Sequence, residues 1–486
     1  MDERTARMFL PTYRVLSKDQ VQTIHDHALD ILENPGIVVQ HKKALESLAE
    51  SGARVDFDKQ RACFSPELVQ QALQDITKEF VCAGREPAFD FKVAYDAPPV
   101  CRCTGGAVNL MEFTNNHSRP VTLKDCRDIA HIIDGLESTA FAATQTPCDA
   151  SLPVYDIQAL KAMLEAGRKH IWALCSSSVN LAYQLEMMLA VAGSETALAE
   201  RPTCHGIVTV LEQFRFPHDE IERLLLYGRY RIPVKVPICP MMGANAPTTI
   251  AGTMVQANAE AVASAVLIHY LCPGTPTWYY FFIQAMNKRT GENIFMSPEI
   301  ILCSLGLIQM ARYYRLPAAP SSFETTGARL SDVLYGNGMS LNLFALAGAF
   351  ENAGTGCVDM SLGISKQGLV IGDDMWGHTR RLLEGFFDEP DAFALDAIKR
   401  VATGSGEYLS DDHTFQFLRK EAQFVPDVLV SRPYTVWYDN PKSLAQEAQE
   451  RVNDLLENHI VPPLDEALQK ELDRIEQAAI KQIQSE

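Results

Sequence analysis

Five consecutive aromatic residues, Trp278-Tyr279-Tyr280-Phe281-Phe282, are the most distinctive candidate for chemistry in this sequence. Side chains alternate between the two faces of an extended strand, so Trp278, Tyr280 and Phe282 would share one face. Aromatic ring faces attract cations, and each desolvated ring contributes about 0.5–2 kcal/mol to binding a quaternary ammonium ion. Aromatic residues also fill the cores of buried strands. The run therefore indicates either a cation-binding cage or core packing.

Other side chains could complete such a cage. Phe323 and Trp376 are further aromatic residues, and Glu324 could balance the charge of a bound cation. A ligand that also carries a carboxylate would need nitrogen donors. The candidate donors are Gln145, His205, Arg215 and Arg329.

Metal chemistry and nucleophilic catalysis are the competing interpretations. Cys101, Cys103, Cys204 and His205 are soft ligands of the kind zinc accepts, but they lack the paired spacing of a tetrahedral zinc site. No G-x-S-x-G motif occurs, and the serine run 176–178 has no identifiable base. The sequence thus identifies no catalytic residue and favours a site without metal ligands.

The candidates lie along a repeated pattern between Val100 and Ser365: a short apolar run, a polar loop, then an amphipathic stretch of helical length. The predicted strands begin near Val100, Thr139, His170, Pro202, Ile232, Gly274, Leu316 and Gly354. Eight such units predict an α/β fold with a (β/α)8 TIM barrel, whose reacting residues lie at the carboxyl ends of the strands. An open doubly wound sheet is the runner-up, although no G-x-G-x-x-G follows a strand.

The rest of the chain surrounds this barrel. Capping signals at Ser17 and Ser65 begin amphipathic stretches, which predicts an N-terminal helical region over 1–95. The barrel is predicted over 96–370. Two further apolar stripes predict a C-terminal helical region over 371–486, which packs on the barrel or on another subunit.

Charge and composition exclude several classes of partner. The formal charge is −18, from 43 Lys and Arg against 61 Asp and Glu, and this field repels phosphate backbones. We therefore predict no nucleic-acid partner. No apolar signal region or bilayer-length stretch is present, which predicts a cytoplasmic protein without a membrane partner. Twelve scattered cysteines fit free thiols in a reducing compartment, and the apolar helical stripes favour a homo-oligomer.

Several segments, in this order, resemble the trimethylamine methyltransferase (MttB-type) superfamily. They are LSKDQVQTIHDHALDILENPGIVV with SGARVDFD, GGAVNLMEF with RPVTLKD, GANAPTTIAGTMVQANAE, PGTP with KRTGENIFMSPE, and HTFQFLRKEAQFVPDVLVSRPYTVW. The resemblance covers nearly the whole chain. It implies a barrel fold and the transfer of a methyl group from an amine to the Co(I) of a separate corrinoid protein.

The resemblance also indicates a branch. Founding members carry pyrrolysine and use the tertiary amine trimethylamine, whereas this chain has standard residues throughout, with SSFETTGARLSDVL after predicted strand seven. It resembles the non-pyrrolysine branch, whose members demethylate quaternary amines such as glycine betaine, proline betaine or carnitine. The resemblance implies a cognate corrinoid protein as partner and no cofactor bound tightly to this chain.

The leading hypothesis is a methyltransferase that moves a methyl group from a small quaternary amine to a corrinoid protein. A quaternary nitrogen leaves as a neutral tertiary amine, so the reaction needs positioning more than a proton donor or a nucleophile. Two alternatives remain: a barrel that binds quaternary ammonium ions without transfer, and a zinc-dependent methyltransferase.

Overall fold

The computed structural model describes residues 13–210, 213–321, 325–386, 389–418 and 424–483, and the fold is α/β and about half helical. The helices are α1 (Lys18–Glu33), α2 (Lys42–Glu50), α3 (Pro66–Asp75), α4 (Leu123–Gly135), α5 (Tyr155–Ala166), α6 (Ser178–Ala192), α7 (Glu195–Glu200), α8 (His218–Arg229), α9 (Ile250–Leu271), α10 (Pro298–Tyr314), α11 (Leu330–Ala347), α12 (Lys366–Glu384), α13 (Leu395–Ala402), α14 (Asp412–Phe417), α15 (Tyr434–Asp439), α16 (Leu444–Asn458) and α17 (Glu466–Ile483). The strands are β1 (Ile37–Val39), β2 (Arg54–Asp56), β3 (Arg61–Cys63), β4 (Phe80–Cys82), β5 (Phe91–Val93), β6 (Val100–Cys103), β7 (Asn109–Glu112), β8 (His117–Pro120), β9 (Thr139–Ala143), β10 (His170–Trp172), β11 (Cys204–Ile207), β12 (Arg215–Phe216), β13 (Val234–Lys235), β14 (Met241–Met242), β15 (Tyr279–Phe281), β16 (Gln284–Met286), β17 (Asn293–Ile294), β18 (Ala318–Pro320), β19 (Glu351–Thr355), β20 (Cys357–Val358) and β21 (Gly363–Ile364).

A curled parallel sheet forms the centre of the molecule. Six strands are hydrogen-bonded in the order β13-β11-β10-β9-β6-β19, and every pair is parallel. β15 and β18 form a second parallel pair. Isolated parallel bridges join Val234 to Thr277 and Ser321 to Ala353, so they link this pair to both edges of the six-stranded sheet.

The predicted strands and helix caps of this region are confirmed. A strand lies at each of the eight predicted places, and Thr122 caps α4 through a capping box with Asp125. Ser297 caps α10, where Pro298 fits because the first turn of a helix needs no amide hydrogen there. The eighth strand begins earlier than predicted, at Glu351, which places a carboxylate inside the sheet.

The N-terminal region contains strands that the sequence pattern does not predict. α1 and α3 begin at the predicted caps Ser17 and Ser65. β1, β2 and β3 form a small sheet with β12, and β4 pairs with β5 in a hairpin. Each of these five N-terminal strands has three residues, which is too short for an alternating pattern to identify.

The β4–β5 hairpin covers the amino ends of the central strands. Phe80 meets the Trp278 ring edge-on, with 4.8 Å between the ring centres. Phe91 stacks on Phe141 at 5.6 Å. Apolar side chains therefore close the amino-terminal end of the curled sheet.

The C-terminal helices pack on the same chain. α16 lies against α4 and α12, and α17 lies against α5 and α6. Their predicted apolar stripes are buried there, including Val452 and Leu455 of α16 and Leu472 and Ile475 of α17. These stripes are therefore covered without a second subunit. The predicted domain boundary at residue 370 falls inside α12.

The longest helix, α9, has 22 residues and packs against α1, α3 and α10. Neither it nor another helix in the described ranges has the apolar length needed to cross a bilayer. α9 carries Glu260, which is 5% exposed and accepts a hydrogen bond from Gln256 Nε2 at 3.0 Å. Burial raises the pKa of Glu260 to about 7.

Replacing Glu260 with Gln is expected to stabilise the protein at pH 8. The unfolded chain loses this proton near pH 4.5 and the folded chain near pH 7, so the wild type loses stability as the pH rises between these values. The variant avoids this loss, and its gain in unfolding free energy should be about 2–3 kcal/mol at pH 8 and under about 1 kcal/mol at pH 5. Urea unfolding at both pH values measures it, with the exposed Glu46→Gln as control. An equal gain at both pH values would contradict the assignment.

Candidate functional site

Three ionisable side chains meet inside the curled sheet. Arg102 of β6, Lys235 of β13 and Glu351 of β19 are all fully buried. Arg102 Nε donates to Glu351 Oε1 at 2.8 Å, and Lys235 Nζ donates to the same oxygen at 2.6 Å. Two cations thus share one carboxylate, so the interior has an excess of positive charge.

Burial and charge act in opposite directions on this cluster. Burial lowers the pKa of Lys235 to about 7, although the charge of Glu351 opposes the shift. Burial alone would raise the pKa of Glu351, but Lys235 and Arg102 together hold it below its ordinary value. The Arg102 guanidinium does not lose its proton in proteins. Glu351 is therefore ionised at neutral pH, while the pKa of Lys235 is well below that of an ordinary lysine.

Aromatic rings surround the Lys235 ammonium. Nζ lies 4.8 Å from the ring centre of Trp278, 5.1 Å from Phe141, 5.2 Å from Trp172 and 5.4 Å from Tyr280. The Arg102 guanidinium lies 4.2 Å from the centre of Trp172 and donates to the Tyr280 hydroxyl at 3.3 Å. Trp278 and Tyr280 thus share an inward face, as the alternation predicts. The cation that their rings contact belongs to the chain itself.

Two neutral histidines lie beside this cluster. His170 Nδ1 donates to the Ala83 carbonyl at 3.0 Å, and His170 Nε2 lies 2.8 Å from His205 Nδ1. Because Nδ1 of His170 carries the hydrogen, Nε2 accepts and His205 Nδ1 donates. Burial lowers the pKa of His170 to about 4 and also lowers the pKa of His205, so both rings are neutral at pH 7.

Cys82, His170 and His205 are one group that could hold a metal ion. Their sulfur and nitrogen atoms lie within 4.8 Å of one another and supply three of the four ligands of a tetrahedral zinc site. Burial is the main cause of the lowered His205 pKa, and the charge of Lys235 adds to it. The same charge opposes a metal cation at this position.

A second group, His41, His218 and Glu222, lies at the start of α2 and α8. His41 Nδ1 accepts the backbone N–H of Ala44 at 3.1 Å, so its Nε2 carries the hydrogen and donates to Glu222 at 2.7 Å. A nitrogen that carries hydrogen has no lone pair for a metal. This group therefore acts as a hydrogen-bonded helix cap.

The cysteines of the alternative zinc set do not converge with His205. His205 faces the interior, where its ring lies 4.8 Å from that of Trp278. Cys204 is its neighbour in the strand and faces the other side. Cys101 lies outside the sheet, in an apolar cluster with Trp376. These residues cannot form one tetrahedral site.

Loops at the carboxyl ends of the central strands form two small sheets, and we call the strand ends between these sheets the opening. β14, β16 and β17 form one sheet and follow β13 and β15, whereas β7, β8, β20 and β21 form the other and follow β6 and β19. Residues 325–327 join the two sheets. Thr326 Oγ1 accepts from the Phe295 N–H at 3.0 Å, and the Gly327 carbonyl accepts from the Asp359 N–H at 3.0 Å. Ligands of α/β folds bind at this end of the strands, so the opening is the candidate site.

Phe282 is the predicted cage residue at the carboxyl end of its strand. It is half-buried, and its ring centre lies 4.7 Å from that of Phe295. In the other small sheet, Asp359, Met360 and Ser361 have φ values of 51°, 56° and 63°. Left-handed backbone at consecutive non-glycine residues is strained, and such strain is typical of functional sites.

The remaining aromatic and acidic candidates are placed elsewhere or not described. Phe323 and Glu324 lie outside the described residues. Trp376 is 1% exposed and packs against Cys101 and Leu341 between the sheet and its surrounding helices. The structure therefore does not bring Trp376 together with Trp278, Tyr280 and Phe282.

Gln145 joins two loops at the border of the opening. Its Nε2 donates to the carbonyls of Thr104 and Ala143 at 2.9 and 2.8 Å, and its Oε1 accepts from the Ala107 N–H at 3.0 Å. Gln145 is also 2% exposed. Its amide therefore supports the loop after β6.

The two predicted arginine donors lie apart from the interior. Arg215 is in β12, which pairs with β1 of the N-terminal sheet. Arg329 precedes α11, its side chain is 79% exposed, and it pairs with Asp332 at 2.7 Å. Arg329 is thus accessible from solvent, whereas the interior cations are not.

The internal ion cluster is the part of this region that the predicted site residues do not include. The sequence does carry a signal for it, because Arg102 and Lys235 are single charges within the apolar runs VCRC and IPVKVPICP. Such charges are almost never fully buried unless they are paired. Two such charges in predicted strands of one barrel require a buried carboxylate, and the late start predicted for the eighth strand leaves Glu351 out of it.

The chain is similar in sequence to known methyltransferases. A family model described as trimethylamine methyltransferase (MTTB) matches residues 2–480. Trimethylamine methyltransferase MttB of Desulfitobacterium hafniense is 26% identical over 457 residues, which cover 93% of this chain and 91% of that protein. A glycine betaine methyltransferase of the same species is 24% identical over 468 residues, covering 95% and 96%.

One solved structure has a fold similar to that of this chain. The crystal structure of Methanosarcina barkeri monomethylamine methyltransferase (MtmB) superposes with a TM-score of 0.54 and 12% sequence identity. The alignment covers 99% of this chain and 90% of that chain. At this identity the likeness shows the fold alone.

Proposed function

Because the chain belongs to the trimethylamine methyltransferase (MTTB) family, whose methyltransferases transfer methyl groups to corrinoid proteins, we propose that its methyl donor is a small quaternary amine. Glycine betaine, proline betaine and carnitine are the proposed candidates. The proposed acceptor is the Co(I) of a cognate corrinoid protein. We also propose that the isolated bridges close the central strands into a (β/α)8 barrel.

The observation that carries the substrate class is that the described titratable groups of the interior pair with one another, with Glu351 Oε2 and His205 Nε2 as the buried atoms that have no hydrogen-bond partner. Glu351 binds Arg102 and Lys235, and His170 binds His205. A protonated tertiary amine must first give its proton to a base. A quaternary amine has no such proton and leaves as a neutral amine, so an opening bordered by aromatic and neutral side chains suits it.

In the proposed step, the methyl carbon exchanges its bond to nitrogen for a bond to cobalt. The electron pair of the broken bond stays on nitrogen, and the electron pair of Co(I) forms the new bond. The protein's part is to orient one methyl group outward and to exclude water. Phe282, beside Phe295, is proposed to contact the ammonium, with Phe323 and Glu324 as further candidates after β18.

The excess positive charge below the opening favours a substrate with an anionic end. Arg102 and Lys235 carry up to two positive charges against the one negative charge of Glu351. This charge repels a simple cation, whereas a betaine can direct its carboxylate inward and its methyl groups outward. Arg329 is kept as a proposed carboxylate donor at the surface, because the amide of Gln145 and Nδ1 of His205 are bonded within the chain.

The test is a methyl-transfer assay with a chemically reduced corrinoid protein. The panel contains the three betaines, choline as a quaternary amine without a carboxylate, and trimethylamine, with conversion of Co(I) to methyl-Co(III) followed by absorbance. We expect transfer from one betaine and transfer slower by about tenfold or more from choline and trimethylamine, a difference of about 1.4 kcal/mol in barrier.

Two results would contradict this reading. The corrinoid protein is first shown to accept a methyl group from another methyltransferase. If a betaine then binds this chain but loses no methyl group, the chain is the non-catalytic binding barrel. Stoichiometric zinc whose removal abolishes transfer would favour the zinc-dependent alternative. The working unit is proposed to contain at least two copies of the chain, with the corrinoid protein as an exchangeable partner.

A further inference from the structure

A short hairpin after the eighth central strand carries a carboxylate that the mechanism above does not use. β20 and β21 pair antiparallel, with Val358 opposite Gly363, so residues 359–362 form the turn between them. Asp359 is half-buried in this turn. Among the described residues, no hydrogen bond or ion pair involves its carboxylate. A charge that has lost part of its hydration without gaining a partner is suited to binding a cation.

The rest of the fold holds this turn in a strained conformation. Residues 359–361 all have left-handed backbone. The Asp359 N–H donates to the Gly327 carbonyl at 3.0 Å, and the Met360 N–H donates to the Thr325 carbonyl at 2.9 Å. Strain of this kind persists only where the surrounding structure imposes it. Contacts with the segment after β18 therefore fix the position of Asp359.

The same segment connects the turn to the proposed ammonium contact. Its Thr326 accepts the Phe295 N–H through Oγ1 at 3.0 Å. The Phe295 ring centre lies 4.7 Å from that of Phe282. Phe282 leads into one of the two small sheets and Asp359 lies in the other, so residues 325–327 hold both at the border of the opening.

We propose that the Asp359 carboxylate pairs with the ammonium of the substrate and selects for a positively charged methyl donor. This inference rests on the proposed function, in which that donor is a betaine. The interior below the opening has the excess positive charge of Arg102 and Lys235 over Glu351. A betaine between the two regions directs its carboxylate to the interior cations and its ammonium to Asp359. Opposite charges then face each other at both ends of the substrate.

A carboxylate provides a selectivity that aromatic rings alone do not. Neutral groups of the same shape also pack against a ring face, because much of that contact is apolar. The charge of Asp359 attracts an ammonium and gives a neutral group no such attraction. The attraction to Asp359 is therefore the part of substrate binding that depends on the charge of the nitrogen.

The test is calorimetric titration of the wild type and of Asp359→Asn with the three betaines and with 3,3-dimethylbutanoate. The last compound has the shape and carboxylate of glycine betaine, with a neutral carbon in place of the nitrogen. Asn has nearly the size of Asp and tolerates left-handed backbone, so the turn should persist. We expect betaine binding to weaken by about tenfold, the effect of removing one partly screened charge. Binding of 3,3-dimethylbutanoate should not weaken.

Two further variants separate charge from shape. Asp359→Gly also removes the charge, and glycine adopts left-handed backbone freely, so it should show the same loss of betaine binding. Glu112→Gln is the matched control. It removes one negative charge from the same small sheet, at the end of β7 beyond its pairing with β21, and should leave every dissociation constant unchanged.

Kinetics provide a second readout in the methyl-transfer assay. The positive charge that Asp359 attracts is being lost from the nitrogen in the transition state, so the carboxylate stabilises the bound substrate more than the transition state. Asp359→Asn is therefore expected to raise the betaine KM without lowering kcat. A fall in kcat with an unchanged KM would contradict a role in binding.

The outcomes distinguish this inference from the proposed function. Equal betaine affinity for the wild type and Asp359→Asn would overturn the inference alone. An equal loss for the betaine and for 3,3-dimethylbutanoate would also overturn it, because that result reports a distorted turn. A wild type that binds none of the betaines would overturn the proposed function, and the role of Asp359 with it.

Discussion

Replacing Glu351 with Gln is expected to lower the unfolding free energy by about 3–5 kcal/mol, because removing one partner of a buried ion cluster leaves the other charges uncompensated. Arg102 keeps its charge, and both Arg102 and Lys235 are fully buried. Gln retains the size and one acceptor of Glu, so the loss would report charge more than shape. Urea unfolding at pH 7 measures it.

Two further variants make this measurement specific. Without Glu351 the pKa of Lys235 falls further, so the lysine becomes a buried amine without its carboxylate partner. Adding Lys235→Met removes that polar group, so the double variant is expected to be more stable than Glu351→Gln alone. Glu137→Gln is the control, since Glu137 is 88% exposed in its pair with Arg380 and should not change the unfolding midpoint. If Glu351→Gln had the same urea midpoint of unfolding as the wild type, the interior cations would not depend on Glu351 for their compensation.

Phe282 and Trp278 are expected to separate substrate binding from stability. Phe282→Leu keeps an apolar side chain but removes a ring face worth about 0.5–2 kcal/mol to an ammonium, which is about a 2- to 30-fold rise in the betaine KM. Phe282→Tyr keeps the ring and should keep the KM. Trp278→Ala is expected to cost about 3–5 kcal/mol of stability through the cavity it leaves, with the KM unchanged where the protein is folded.

The reason for this split is the position of Lys235. Its ammonium lies 4.8 Å from the Trp278 ring centre, and Phe80 covers another side of that ring. The measurements are the KM in the methyl-transfer assay and the midpoint of urea unfolding. A large rise in KM for a stable Trp278→Ala would indicate that the substrate binds at the deeper rings. Equal KM values for Phe282→Leu and Phe282→Tyr would indicate the same.

The sequence pattern predicts the elements whose signal is local. The capping box at Thr122 and Asp125 begins α4, and the alternation in the aromatic run places Trp278 and Tyr280 on one face. Both follow from residues a few positions apart. What those rings contact depends on strands far along the chain, and no local pattern states that Lys235 lies among them.

Length sets a second limit to prediction. Strands of three residues in the N-terminal region carry no detectable period, so only their pairing partners identify them. Val38 of β1, for example, pairs with Arg215 of β12, which is 177 positions later in the chain. Glu351 is missed for a related reason. The predicted start of the eighth strand is three residues late, so the prediction leaves Glu351 in the preceding loop. The site is thus predictable as a region at strand ends and not as a set of contacts.

The hairpin of β4 and β5 has a kinetic consequence. Because Phe80 and Phe91 cover the amino ends of the described strands, we propose that the amine and the corrinoid protein both approach the barrel from the carboxyl ends of the strands. On this proposal we expect the amine to enter before the corrinoid protein binds and the demethylated product to leave after the corrinoid protein dissociates. Such a reaction follows a compulsory order of binding. An excess of corrinoid protein is then expected to inhibit the enzyme, because it covers the carboxyl ends of the strands before the amine has bound.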